Sequence, residues 1–245
     1  MLTGLGSVFV VSGLLEILIP LAVGFYIIRR FGTSWRNWFS GALMFTVSLI
    51  RIPLNLYISQ LILAGTPTPM GYSLLVLVPS FTAGIFEEAA RYLGFKILIK
   101  DSSYEKGLTY GAGHGGIESM LMVGLNILSL GVVLLTNPDA LPPEQLLSIL
   151  GMPIYLPLVG LYERIMAMII QISLSIMVLE SIRRSDIRYL FVAVGIHTML
   201  NFLAVSTVGY GVFVSELLVT GFAIGLGYWT YKRIKGDIIK RGIQS

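Results

Sequence analysis

Glu87 and Glu88 stand side by side in a largely apolar stretch, with Arg91 three and four residues further on. On a helix those spacings let either carboxylate meet the guanidinium on one face. His114 and Glu118 are four apart, and so are His197 and Asn201. Each pair therefore projects two ligands, or two hydrogen-bonding groups, to the same side of its helix. Two imidazoles and a carboxylate suit a zinc ion that keeps a fourth position for water. The same residue types suit metal-free hydrolysis, in which a carboxylate takes a proton from water. The residues alone leave that choice open.

The elements that must position these groups are membrane helices. The chain has 245 residues, of which 55% are hydrophobic and 12% charged, with mean hydropathy +0.83. A soluble domain carries about 25% charged residues, so too little polar surface exists here to coat a water-soluble globule. In lipid the backbone must satisfy itself, as helices or as a closed barrel. Barrel strands read as short alternating segments, whereas the apolar runs here are long and continuous. A spanning helix takes about 20 residues. The sequence predicts an all-α polytopic membrane protein with seven spans, near Val8–Ile28, Trp38–Leu63, Tyr72–Ile97, Leu108–Leu135, Ile154–Ile182, Tyr189–Val208 and Val212–Tyr231. This leaves a single transmembrane domain over 1–245, with the chemical residues between about 72 and 208. The first apolar stretch has no basic region before it and no small-residue cleavage site, so it is expected to remain as a helix. There is no cysteine, which removes disulfides and thiolate ligands.

The charges set an orientation. Arg29, Arg30 and Arg36, then Lys96, Lys100 and Lys106, then Arg183, Arg184 and Arg188, then Lys232, Arg233, Lys235, Lys240 and Arg241 make up 14 of the 17 basic residues, and all fall on one side. The opposite segments, Ala64–Gly71, Thr136–Pro153 and Gly209–Gly211, hold none. Positive residues stay in the cytoplasm, so the N-terminus is expected outside and the C-terminus inside, in a prokaryotic plasma membrane. A net charge of +4 distributed in this way argues against nucleic acid as a partner. Thr136–Pro153 reads as an ordinary outer loop, in which Pro143-Glu144-Gln145-Leu146-Leu147 has the makings of a short interfacial helix with proline in its first turn.

Depth then gathers the chemistry. Glu88 lies eight residues before Lys96, His114 eight after Lys106, and His197 nine after Arg188. At a rise of 1.5 Å per residue, all three sit roughly 12–14 Å from the basic loops. Gly107-xxx-Gly111-xxx-Gly115 allows close helix approach beside His114. Ionisable groups at mid-bilayer cost at least ~2.5–3.5 kcal/mol each on insertion scales, so they normally face the bundle interior with a partner. Arg51 and Asn55, one turn apart, are expected to pair structurally, with the glutamates as one destination for the arginine. Glu163-Arg164 is expected to be an ion pair in the outer half. Glu16 and Glu216 are assigned no role.

Phe86-Glu87-Glu88-Ala89-Ala90-Arg91, Tyr110-xxx-His114 and His197-xxx-Asn201 resemble the three motifs of the CPBP superfamily, the type II CAAX prenyl proteases and bacteriocin-processing or immunity proteins. His114-Gly115-Gly116-Ile117-Glu118 and Tyr162-Glu163-Arg164 look more like the YhfC branch, a group of intramembrane metalloproteases. The resemblance runs over about half the chain. Two residues, rather than the three of the CAAX motif, separate Glu88 from Arg91; Tyr110 replaces a phenylalanine; and the histidine expected near Gln171 is absent. The resemblance implies an intramembrane endopeptidase acting on a membrane-anchored or transmembrane peptide. In it Glu87 is the base on water with help from His114, Arg91 holds Glu88, and His197 and Asn201 stabilise the oxyanion. Its zinc version takes His114, His197 and either Glu118 or Glu88 as ligands. Two rivals of other classes use the same residues: a proton- or cation-coupled transporter, against which no internal repeat is found, and a non-catalytic binding or immunity protein.

Overall fold

The computed structural model describes residues 2–65 and 68–243, the side chains of Pro69 and of 238–243 excepted. Residues 66–67 of the Ala64–Gly71 segment, and the side chains of Lys240 and Arg241 in the basic tail, lie outside that description. Among the described residues there is no strand. Ten α-helices run in order: α1 (Leu2–Phe31), α2 (Trp35–Ser48), α3 (Arg51–Ala64), α4 (Pro69–Gly94), α5 (Tyr104–Glu118), α6 (Leu125–Thr136), α7 (Pro143–Leu150), α8 (Leu156–Arg183), α9 (Arg188–Thr207) and α10 (Val212–Ile243). They give seven stretches long and apolar enough to cross a membrane. The first begins six residues before the expected Val8, through the small and polar Thr3, Gly4, Gly6 and Ser7, and the last runs past the expected Tyr231 into Lys232 and Arg233, because apolar counting stops at such residues and helical hydrogen bonding does not.

Three spans are not the uniform helices expected, the third ending in a π-helical stretch, Phe95–Ile99. The second breaks at Leu49–Ile50, between α2 and α3. The fourth passes through a π-helical stretch, Ser119–Gly124, directly after Glu118. Such π segments recur at functional sites because they re-aim the flanking side chains. The outer segment also differs from a plain loop. Pro143–Leu150 is helical, with proline at its start, and its Ile149 is buried against Leu5, Phe9 and Leu134. That apolar contact supplies the stabilisation that an eight-residue helix cannot draw from its own hydrogen bonds.

α5 lies at the centre, between α2 and α8, and its glycines determine how close those helices come. A Cβ on Gly113 would strike the Trp38 carbonyl oxygen, and one on Gly111 would lie 2.8 Å from the Ile172 Cα. Each glycine costs a helix about 1 kcal/mol relative to alanine, offset here by backbone-to-backbone contact on both sides. Gly107, Gly111 and Gly115 all face α8, at Leu179, Ile172 and Gln171. α8 is buried along most of its length from Met168 to Ser181. α9 packs on α4, and α10 on α8.

Candidate active site

α4, α5, α8 and α9 bring their polar side chains to one point. Glu87 Oε2 lies 3.3 Å from His114 Nε2 and 3.8 Å from His197 Nε2. Its other oxygen, Oε1, accepts a hydrogen bond from Arg51 Nη2 at 2.7 Å. The break in the second span makes this possible. Arg51 is the first residue of α3, and Asn55, one turn on, accepts from Thr82 of α4 at 2.8 Å. The pair expected from the sequence thus docks α3 on α4 and aims a guanidinium at the site.

Glu88 turns to the other side of α4. Both its oxygens accept from Arg91 Nη1, at 2.8 and 2.6 Å, and Oε1 lies 2.7 Å from His197 Nδ1. This carboxylate–imidazole contact fixes the ring and points its Nε2 back to Glu87. Arg91 Nη2 donates to Gln171 Oε1 at 2.5 Å. Gln171 Nε2 donates to Glu118 Oε2 at 2.6 Å and lies 3.4 Å from Glu87 Oε2. One amide so joins both carboxylates to the arginine, in the one orientation its donor and acceptor ends allow.

Glu87, Glu88, Arg91, His114 and His197 are all no more than 3% exposed. Glu87 and Glu88 are balanced by Arg51 and Arg91, so the centre holds no surplus formal charge before the imidazoles are counted. Phe45 covers the His114 ring edge-on, with centroids 5.3 Å apart, and Tyr110 lies on its other flank. His114 Nδ1 and the Tyr110 hydroxyl are buried without a hydrogen-bond partner. Asn201 is half-buried, one turn beyond His197.

A second polar group adjoins the first on the side away from the basic loops. Arg164 pairs with its neighbour Glu163, as expected, and Nη1 also lies 3.5 Å from Glu118 Oε1. Glu16 is 1% exposed and neither of its oxygens has a partner, nor has the buried Ser12 hydroxyl one turn before it. Gln171, Arg164, Glu118 and Glu87 form a continuous polar chain through the bundle.

The sequence reading gave Gln171 no role, because it stood only where a histidine was expected. The signal available was a lone amide midway along an apolar span. It also passed over Glu180, which is 1% exposed near the end of α8.

A zinc ion needs three or more donors turned to one point. The two Nε2-to-Oε2 separations match the edges of a tetrahedron with bonds of ~2.1 Å, which are ~3.4 Å long. The rest of the arrangement does not fit. Among the described residues no three His, Cys, Asp or Glu side chains form a set able to hold a metal. Glu88 is committed to Arg91 and His197, and Glu118 to Gln171 and Arg164. Ligating histidines donate their second ring nitrogen to a partner; His197 has one and His114 does not.

Residues 15–223 match the family described as YhfC intramembrane metalloprotease. A Bacillus subtilis (strain 168) protein, described as the uncharacterized membrane protein YhfC, is 33% identical over 214 residues, covering 79% of this chain and 81% of that protein. No solved structure matches significantly.

Proposed function

Because this chain belongs to the YhfC intramembrane metalloprotease family, we propose that it hydrolyses a peptide bond of a membrane-embedded or lipid-anchored substrate, with Glu87 activating the water. The observation that carries this reading is the convergence of two imidazole nitrogens, each fixed by burial, on one oxygen of a carboxylate whose other oxygen is tied to Arg51.

Arg51 aims the Glu87 carboxylate. Oε2 then takes a proton from a water held beside His114 Nε2, and the water oxygen bonds to the substrate carbonyl carbon. Negative charge passes to the carbonyl oxygen, where donors positioned before the reaction contribute most. The family resemblance gives that role to Asn201 and His197; His197 fills it as the imidazolium, with Nδ1–H on Glu88 and Nε2–H turned toward the carbonyl oxygen. The C–N bond breaks as the proton held by Glu87 returns to the leaving amine. Glu88 and Arg91 touch no reacting atom; they hold His197 and Gln171 in place. A zinc version needs Glu118 or Glu88 released from its present partners, and no step above depends on one.

With the basic loops in the cytoplasm, the site would lie toward the cytoplasmic leaflet of a bacterial plasma membrane, and substrate would enter beside α3, which packs chiefly on α4. Elemental analysis of detergent-purified protein, beside His114→Ala and His197→Ala, tests the chemistry. We expect wild type and both variants to carry the same trace of zinc, and purified wild type to cleave a single-span peptide in liposomes. About one zinc per chain, lost in both variants, would overturn the metal-free mechanism. Proton-coupled flux without cleavage would overturn the protease reading in favour of a transporter.

A further inference from the structure

The basic end of the bundle carries more than the topology rule requires. Between the ends of α5, α8 and α10 lies an open cavity of about 280 Å³, lined by Tyr104, Glu180, Arg183, Arg184, Lys232, Arg233 and Asp237. Positive charges at helix ends follow from orientation alone. What orientation does not require is a buried carboxylate that gathers them. Glu180 is 1% exposed and accepts hydrogen bonds from Tyr104 Oη at 2.5 Å and from Arg184 Nε. It also lies 3.5 Å from Arg183 Nε and 3.9 Å from Arg233 Nη1. Arg183 is shared with Asp237, at 2.8 Å. Among the described residues four cations therefore surround two carboxylates, an excess of two positive charges at the mouth of the cavity. Arg184, with 48% of its side chain exposed, and Lys232 stand on its open side.

The rings show where the cavity sits. Arg183 lies over Tyr104, Arg184 over Tyr189, Arg233 over Tyr189 and Trp229, and Lys232 over Tyr228, at 4.1 to 5.8 Å from the ring centroids. Tyrosine and tryptophan collect at headgroup level. The shared chemistry of the ligand is a phosphate anion, available from a lipid headgroup or from solution. Only a lipid also gains from apolar contact with the exposed Tyr228 and the half-buried Tyr189 and Trp229 beside the cavity. We propose that this cavity binds the headgroup of an anionic phospholipid, and so ties the ends of α5, α8 and α10 together. The assignment is independent of the hydrolytic reading.

The test uses the full chain in detergent, delipidated and then titrated with phosphatidylglycerol, phosphatidylcholine or inorganic phosphate, and read by native mass spectrometry and thermal melting. We expect about one phosphatidylglycerol retained per chain, with a raised melting point, and neither effect from the other two probes. Lys232→Gln breaks no ion pair and is expected to weaken retention about 5-fold. Arg184→Gln with Lys232→Gln is expected to weaken it about 30-fold, at ~1 kcal/mol for each cation near the headgroups. Arg29→Gln with Arg30→Gln, on another basic loop, is expected to leave it unchanged. Equal retention of phosphatidylcholine, full retention by the Lys232 variants, or equal loss in the Arg29/Arg30 control would overturn the site. An inorganic phosphate effect equal to that of phosphatidylglycerol would overturn the lipid as its occupant.

Discussion

Replacing Glu87 by glutamine separates the base from the scaffold. The side chain keeps its shape, so no cavity opens in the bundle. Its amide oxygen still accepts from Arg51 Nη2, which now stands 2.7 Å from Oε1. What changes is one negative charge beside a guanidinium whose side chain is 13% exposed, and the acceptor that faces His114 and Gln171. A weakened or unsatisfied buried hydrogen bond costs about 1–3 kcal/mol, so the variant is expected to fold with a lower melting point. A positioned general base contributes about 10²- to 10⁴-fold to rate, equivalent to ~2.7–5.5 kcal/mol in the barrier. Cleavage is thus expected to fall by at least 100-fold in a population that remains folded. The assay is proteoliposomes carrying a single-span peptide, with the released fragment counted by mass spectrometry and the same preparation melted in parallel. Cleavage within about 3-fold of wild type by folded protein would remove Glu87 from the chemistry. Loss of cleavage only in proportion to unfolded protein would reduce it to a structural partner of Arg51.

Other changes separate positioning from chemistry. Arg91→Met leaves Glu88 buried without its countercharge and is expected to destabilise by about 3–5 kcal/mol; adding Glu88→Gln should recover part of that in a denaturant titration, since the pair then leaves together. Gln171→Leu removes the acceptor of Arg91 and the donor to Glu118, so a stability loss of about 2–5 kcal/mol is expected from two buried unsatisfied groups. Gly113→Ala meets the Trp38 backbone and is expected to cost about 1–3 kcal/mol by overpacking, whereas Gly160→Ala, with nothing within 4 Å, should leave the melting point unchanged or raised. The chain has no cysteine, so single cysteines report orientation directly. Ser148→Cys is expected to react with an impermeant maleimide added outside the cell and Arg36→Cys to be protected, the reverse pattern refuting the assigned topology.

Much of the site could be read from spacing because helices convert sequence distance into depth and direction. Glu88 and Arg91 meet at i,i+3, and three loops of basic residues gave a common depth for Glu88, His114 and His197. The division of labour between the two glutamates was not legible. Neighbouring helical residues point about 100° apart, so Glu87 and Glu88 diverge, but only packing shows that Glu87 meets the Nε2 atoms of both imidazoles while Glu88 holds His197 by Nδ1. Arg51 depended on the break at Leu49–Ile50, whose one mark in the sequence is Pro53, which has no N–H for the Leu49 carbonyl and crowds it with its ring; apolar counting carries the second span straight through it. Gln171 was invisible for another reason. α8 is buried on nearly every side from Ile170 to Ser181, so no polar face exists there against which an amide would stand out. Glu180 lay too near a basic loop to read as buried, and only the ring of arginines around it shows that it is.

The geometry also raises the question of where the water comes from. Hydrolysis consumes one water per bond, and the groups that would activate it are 0–3% exposed. The depth argument puts them nearer the basic face. Yet the polar chain leaving them runs the other way, from Glu87 through Gln171 to Glu118 and Arg164, past Glu16 with both oxygens unpartnered. Buried carboxylates without partners are costly in lipid, and ordered water is the usual partner of buried polar groups that the protein leaves unpaired. On the proposed hydrolytic reading, substrate and water would have separate approaches: the peptide would reach the site beside α3 from one leaflet, and water would follow the carboxylates from the opposite side. This arrangement would leave the substrate side apolar, where a membrane-embedded chain binds, and would keep Glu87 supplied without opening the site to bulk solvent.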